Sequence, residues 1–129
     1  MMLQRHDLLL TLVVICGVYN IGFAVFHTLF WRVFGWPATI RSSGHVNSAI
    51  TQTLNLMLIY CFSFYGGWLI WAGANGIRPH PLLLVAEGGF WLVRTALQPL
   101  LFRLRRDLST MLTLLFITGA VLHLLVAIP

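Results

Sequence analysis

The sequence predicts an all-α fold, a polytopic membrane protein built as a four-transmembrane-helix bundle. Three observations lead there. The chain of 129 residues is 59% hydrophobic and only 9% charged, with a mean hydropathy of +0.88, far outside soluble averages. Its eight arginines and three carboxylates are too few to cover the exterior of a soluble domain. Four apolar runs, at 8–34, 48–73, 82–102 and 108–128, each exceed the roughly 18 residues needed to cross hydrocarbon. The connections between them are short, so residues 1–129 read as a single transmembrane domain.

The first run is too long for the apolar core of a signal peptide, and no small-residue cleavage pattern precedes the bulky stretch Phe30-Trp31-Arg32-Val33-Phe34. It ends before Trp36-Pro37, because proline lacks an amide donor and restricts the residue before it. Arg41 to His45 make a polar turn, after which Asn47 or Ser48 can cap the second helix. The second run closes at an Asn75-Gly76 turn, followed by Pro79 and Pro81. Asp107 is placed to cap the fourth helix and to complement its dipole. Trp31, Trp36, Trp68 and Trp71 lie near span ends, as an aromatic belt does. Cys16 and Cys61 fall within spans and read as small packing residues.

Arginine placement predicts orientation. Arg32, Arg41, Arg103, Arg105 and Arg106 flank the first and third connections, whereas Arg5 and Arg78 lie on the opposite side. The positive-inside rule then puts both termini outside. The net charge of +5 therefore reflects membrane topology, and no nucleic-acid partner is expected, since the basic loops are short and carry no base-reading motif.

The third run carries the main functional signal. Glu87, Trp91, Arg94 and Gln98 recur at helical spacing on one face. A guanidinium at the middle of a span costs about 2.5–3.5 kcal/mol on insertion scales, so Arg94 needs partners within the protein. At 1.5 Å per residue, His27 and Asn55 lie about 10 Å from the cytoplasmic ends of their helices, Arg94 about 12 Å, and Gln52 and Gln98 about 6 Å. His27, Gln52, Asn55, Arg94 and Gln98 are thus the expected binding residues, forming one polar layer in the cytoplasmic half. Glu87 and His123 form a second, outer layer and are the candidate proton site. Interhelical hydrogen bonding by Asn and Gln is the purely structural alternative.

Cofactor chemistry is not expected. His27 and His123 lie in opposite halves, separated by roughly 15 Å along the membrane normal, which excludes both as axial ligands of one haem. The chain has no Cys-x-x-Cys or His-Glu-x-x-His metal motif. No paired carboxylates, nucleophile elbow or phosphate loop supports catalysis.

The string His27-Thr28-Leu29-Phe30-Trp31, the Trp36-Pro37 turn, Asn47 with Ile50, and Phe90-Trp91 followed by Arg94 and Gln98 resemble a group of small four-helix bacterial inner-membrane proteins. The resemblance covers the first three helices and implies a bacterial inner-membrane location; no activity comes with it. Size and span number also match small multidrug resistance transporters, but the first span here has no glutamate. The expected function is binding of a lipid-like or amphipathic molecule, or service as an accessory subunit of a membrane complex, with membrane lipids as partners. The alternatives are a homodimeric proton-coupled transporter working through Glu87, and a small membrane enzyme acting on a lipid or quinone.

Overall fold

The computed structural model describes residues 2–102 and 107–128. The connection bearing Arg103, Arg105 and Arg106, central to the orientation argument, lies outside the described residues. Four long helices dominate: α1 (Met2–Thr28), α3 (His45–Ala74), α4 (Pro81–Leu101) and α5 (Asp107–Ala127). A single turn, α2 (Phe30–Val33), and a 3-10 helix (Ala38–Ser43) join α1 to α3. No strand occurs among the described residues. Three helical segments, Arg5–Thr28, His45–Ala74 and Asp107–Ala127, are long and apolar enough to cross a membrane. At 21 residues, α4 has the length but carries Glu87, Arg94, Gln98 and Pro99, which lower its apolarity.

Local signals explain most of the boundaries. α1 ends well before the proline, at a turn where Leu29 N–H bonds the Phe26 carbonyl. Trp36-Pro37 is a cis peptide, and Gly35 beside it has φ 64°. α3 begins at His45 behind Gly44, whose φ of 92° suits glycine. Ser48 is therefore already inside the helix, and neither it nor Asn47 is the N-cap; Asn47 instead donates to the Ser43 carbonyl at 2.8 Å. At the other end, Asn75 Nδ2 bonds the Trp71 carbonyl at 2.7 Å. His80 opens α4, its Nδ1 accepting from Leu82 N–H at 3.2 Å ahead of Pro81 in the first turn.

Close packing is made by glycine. α1 runs antiparallel to α3, and a Cβ on Gly66 would lie 2.8 Å from the Gly17 carbonyl oxygen. A Cβ on Gly17 would lie 2.7 Å from the Gly66 oxygen, and one on Gly73 would lie 2.9 Å from the Leu10 oxygen. Small residues let helix backbones touch in this way, which strengthens dispersion where no hydrophobic effect drives association. α4 meets α5 where Leu124 fills the space beside Gly88. α1 touches α5 where Tyr19 packs on Gly119 and donates to the Leu115 carbonyl at 2.7 Å. By contrast, no Cα of α3 comes within 8 Å of one of α4 among the described residues. The spatial order is thus α3, α1, α5, α4, and the α3–α4 gap is only partly filled by side chains.

Polarity is distributed against the soluble pattern. Phe64, Leu100, Leu125 and Leu92 are exposed, while Asn20, His123, Gln98 and Asn55 are buried. An exterior of large apolar side chains around a partly polar interior suits hydrocarbon surroundings.

Gly66→Ala should destabilise the protein by about 1–3 kcal/mol, because the new methyl meets backbone and can be relieved only by moving a helix. Gly67→Ala, one residue on, meets nothing within 4 Å and should leave the melting temperature unchanged or higher. Thermal melts of both variants in detergent check the α1–α3 contact; equal losses would refute it.

Candidate functional site

A cavity of about 690 Å³ lies between α3 and α4, whose backbones stay apart. α1 contributes Phe23, Phe26 and His27; α3 contributes Leu58 and Phe62. Phe90, Trp91, Arg94 and Gln98 come from α4, and Ser109 and Phe116 from α5. Phe30, Phe34 and Trp36, from the segment after α1, close the end near Phe102. The wall is therefore mainly aromatic, with Arg94, His27, Gln98 and Ser109 as its polar groups. No carboxylate is among the described residues that line it.

The aromatic wall is ordered by stacking. Trp91 is buried and lies nearly parallel to Phe62, at 9° with centroids 5.4 Å apart, and to Phe116, at 19° and 5.8 Å. Phe23 packs against Trp91 with centroids 4.5 Å apart. Ring pairs in such arrangements add to the apolar burial itself. Trp91 reaches this position because it belongs to the face of α4 that also carries Arg94 and Gln98.

Arg94 turns into the cavity side of α4. Its Nη1 donates to Gln98 Oε1 at 2.7 Å, and Gln98 Nε2 donates to Ser109 Oγ at 2.9 Å. The guanidinium carbon lies 4.4 Å from the Phe116 ring centroid and 5.2 Å from that of Phe102, where the ring faces attract a cation. One amide oxygen and two ring faces are neutral partners. A guanidinium keeps its proton, so the charge has no counter-ion in the cavity wall.

His27 is held from the opposite side. Its Nδ1 lies 2.7 Å from Asn55 Oδ1, and Asn55 Nδ2 donates to the His27 backbone carbonyl at 3.0 Å. Phe30 stacks on the imidazole at 25° with centroids 4.4 Å apart. Arg94 lines the same cavity. Asn55 therefore positions His27 from behind and does not itself line the cavity. Gln52 is further removed: its Oε1 accepts from Trp31 Nε1 at 3.1 Å and its Nε2 donates to the Ser48 carbonyl at 3.3 Å. Of the five expected binding residues, His27, Arg94 and Gln98 face one cavity, Asn55 supports it, and Gln52 packs elsewhere.

The outer layer is arranged differently from the expected Glu87–His123 pairing. His123 is fully buried, its Nδ1 2.7 Å from the Gly119 carbonyl and its Nε2 3.0 Å from Asn20 Nδ2. The neutral ring with its hydrogen on Nδ1 satisfies both contacts, since Asn20 also donates from Nδ2 to the Cys16 carbonyl. Asn20 Oδ1 is buried with no hydrogen-bond partner among the described residues, whereas the buried Glu87 carboxyl and Trp91 Nε1, one turn apart on α4, interact outside good hydrogen-bond geometry. Asn20 was visible in the sequence only as a polar residue on the His27 face of α1.

The aromatic lining was the larger omission. Phe23, Phe26, Phe30 and Phe34 recur at intervals of three and four residues, the signal of a single helix face. Trp36, expected to belong to an interfacial belt, also lines the cavity. No protein-family model, curated protein or solved structure matches the chain.

Proposed function

We propose that this protein is a four-span, multi-pass protein of the bacterial inner membrane whose aromatic cavity binds an amphipathic molecule. Arg94 holds the polar or anionic head group, and the ring-lined ends take the apolar part. The uncompensated Arg94 charge at the wall of a 690 Å³ cavity carries this reading. Helix bundling alone needs no guanidinium, because amides such as Gln98 and Asn55 already supply interhelical hydrogen bonds. A cavity of this size, mostly apolar with a few convergent polar groups, is typical of small-molecule sites. In this reading α4 is the fourth span, tolerated in the membrane because its polar stripe faces protein and cavity. The same cavity also suits an accessory subunit that presents a bound amphiphile to a larger complex.

Arg94→Leu tests the reading. The empty variant should melt at the wild-type temperature or above it, while stabilisation by added phosphatidylglycerol disappears. A variant that melts lower both with and without lipid would reduce Arg94 to a helix-holding residue.

Orientation can be checked separately. With both termini outside, a cysteine placed at Asn75 should be labelled by an impermeant reagent on intact cells, and one at Ser43 should be spared. The reverse pattern would invert the topology.

A second reading, proton-coupled transport by a homodimer, draws support from the buried carboxyl oxygen of Glu87 in the outer layer, which has only the neighbouring Trp91 indole as a loose partner. It requires Glu87→Gln to abolish substrate-driven proton movement in liposomes while the fold persists. Unchanged flux removes this reading.

A further inference from the structure

Two hydrogen bonds decide what the cavity offers at His27. The Asn55 amide cannot be turned over, because that would set its Oδ1 against the His27 carbonyl oxygen, two acceptors face to face. Oδ1 therefore faces Nδ1, and Nδ1 carries the hydrogen it donates across 2.7 Å. In a neutral ring held this way, Nε2 has only a lone pair. No described residue hydrogen-bonds to Nε2, and the imidazole lines the cavity. Arg94 lines the same cavity, with Nε and Nη2 outside its bond to Gln98. The site thus presents an acceptor and a cationic donor together.

A carboxylate answers this pair badly. Its oxygens accept from Arg94 but meet the Nε2 lone pair as a second acceptor. A hydroxyl answers both, giving its hydrogen to Nε2 and receiving one from Arg94 on the same oxygen. The surrounding walls narrow the class further. The Phe116 and Phe102 rings lie against Arg94, the parallel Phe62 and Trp91 continue from Phe116, and Phe30, Phe34 and Trp36 line the same cavity. Such walls favour a flat conjugated ring over a bare aliphatic chain.

We propose that the cavity is selective for an aromatic hydroxyl compound, a phenol-type head on an apolar tail, with its oxygen between His27 Nε2 and Arg94. This rests on the reading of the cavity as an amphiphile site and names the head group that site selects. Asn55 acts as a positioning residue, because it sets which ring nitrogen of His27 bears the hydrogen.

The test compares 4-decylphenol, 4-decylanisole and decanoate on the full-length protein in detergent, read by tryptophan quenching and by thermal shift. The phenol should bind about tenfold more tightly than the anisole, the effect of one hydrogen bond left unmade in a dry site. It should also outbind decanoate. His27→Leu should bring phenol and anisole to equal affinity. Asn55→Leu removes the acceptor that keeps the hydrogen on Nδ1 and frees the ring to carry it on Nε2, so the phenol's advantage should shrink while binding itself persists. Equal affinity of phenol and anisole for the wild-type protein overturns the head-group assignment and leaves amphiphile binding standing. Decanoate binding most tightly does the same and points to an aliphatic anion. If none of the three binds and phosphatidylglycerol gives no stabilisation, both this assignment and the amphiphile reading fail.

Discussion

The contact of α1 with α3 through Gly17 and Gly66 sets the spacing on which the rest depends. A Cβ on either glycine would lie under 3 Å from the facing carbonyl oxygen, so these helices approach too closely for any larger residue at either position. Gly88 and Gly119 bring α4 and α5, and α1 and α5, together by similar means. Three helix contacts drawn this tight leave the fourth open. α3 and α4 are consecutive in the chain, yet their backbones stay apart, and aromatic side chains only partly fill the interval. The cavity is thus a consequence of where glycines lie rather than of any residue that lines it.

Polar residues then divide the interior into two halves of different character. Around Arg94 the hydrogen bonds are local: Gln98 passes the contact to Ser109, and Asn55 secures His27 through two bonds, while the groups left over face the cavity. Around Asn20 the network is incomplete, with a buried acceptor left over on α1 and the poorly aligned Glu87–Trp91 contact on α4. Interhelical hydrogen bonds in membranes average about 0.6 kcal/mol, so neither half is a strong staple by itself. Unmade bonds in a low-dielectric interior weigh more than made ones. That asymmetry makes the Asn20–Glu87–Trp91 region the less settled part of the core.

Much of this architecture could be read from the chain. Apolar length and scarce charge announced an all-helical protein with membrane-length segments. Depth counting from helix ends placed His27 level with Asn55, and these two residues share a pair of hydrogen bonds. Depth says nothing about rotation about a helix axis, and there the reading ran short. Gln52 has the right level but turns to Trp31. His123 and Glu87 were matched by depth, whereas rotation delivers His123 to Asn20 instead. The α3–α4 gap was illegible because apolar helices without a strong amphipathic face do not declare their neighbours. Consecutive helices usually pack together, and here a glycine-mediated preference for α1 overrode that.

The division into closely packed pairs, α1 with α3 and α4 with α5, has a mechanical consequence. The backbones of the pairs approach through α1 and α5, at the Tyr19–Leu115 and Asn20–His123 contacts, while α3 and α4 touch only through side chains such as Tyr65 on the Leu83 carbonyl and Phe62 on Trp91. A small rotation of one pair about that seam would widen or narrow the cavity while leaving the Gly17–Gly66 and Gly88–Leu124 contacts within each pair undisturbed. Shear of this kind between rigid units needs little rearrangement, because side chains at the seam shift without repacking the helices themselves. Trp91 sits beside that seam, its ring in contact with Tyr19 and Phe23 of α1 and Phe116 of α5. Its fluorescence is therefore positioned to report how far the two halves stand apart.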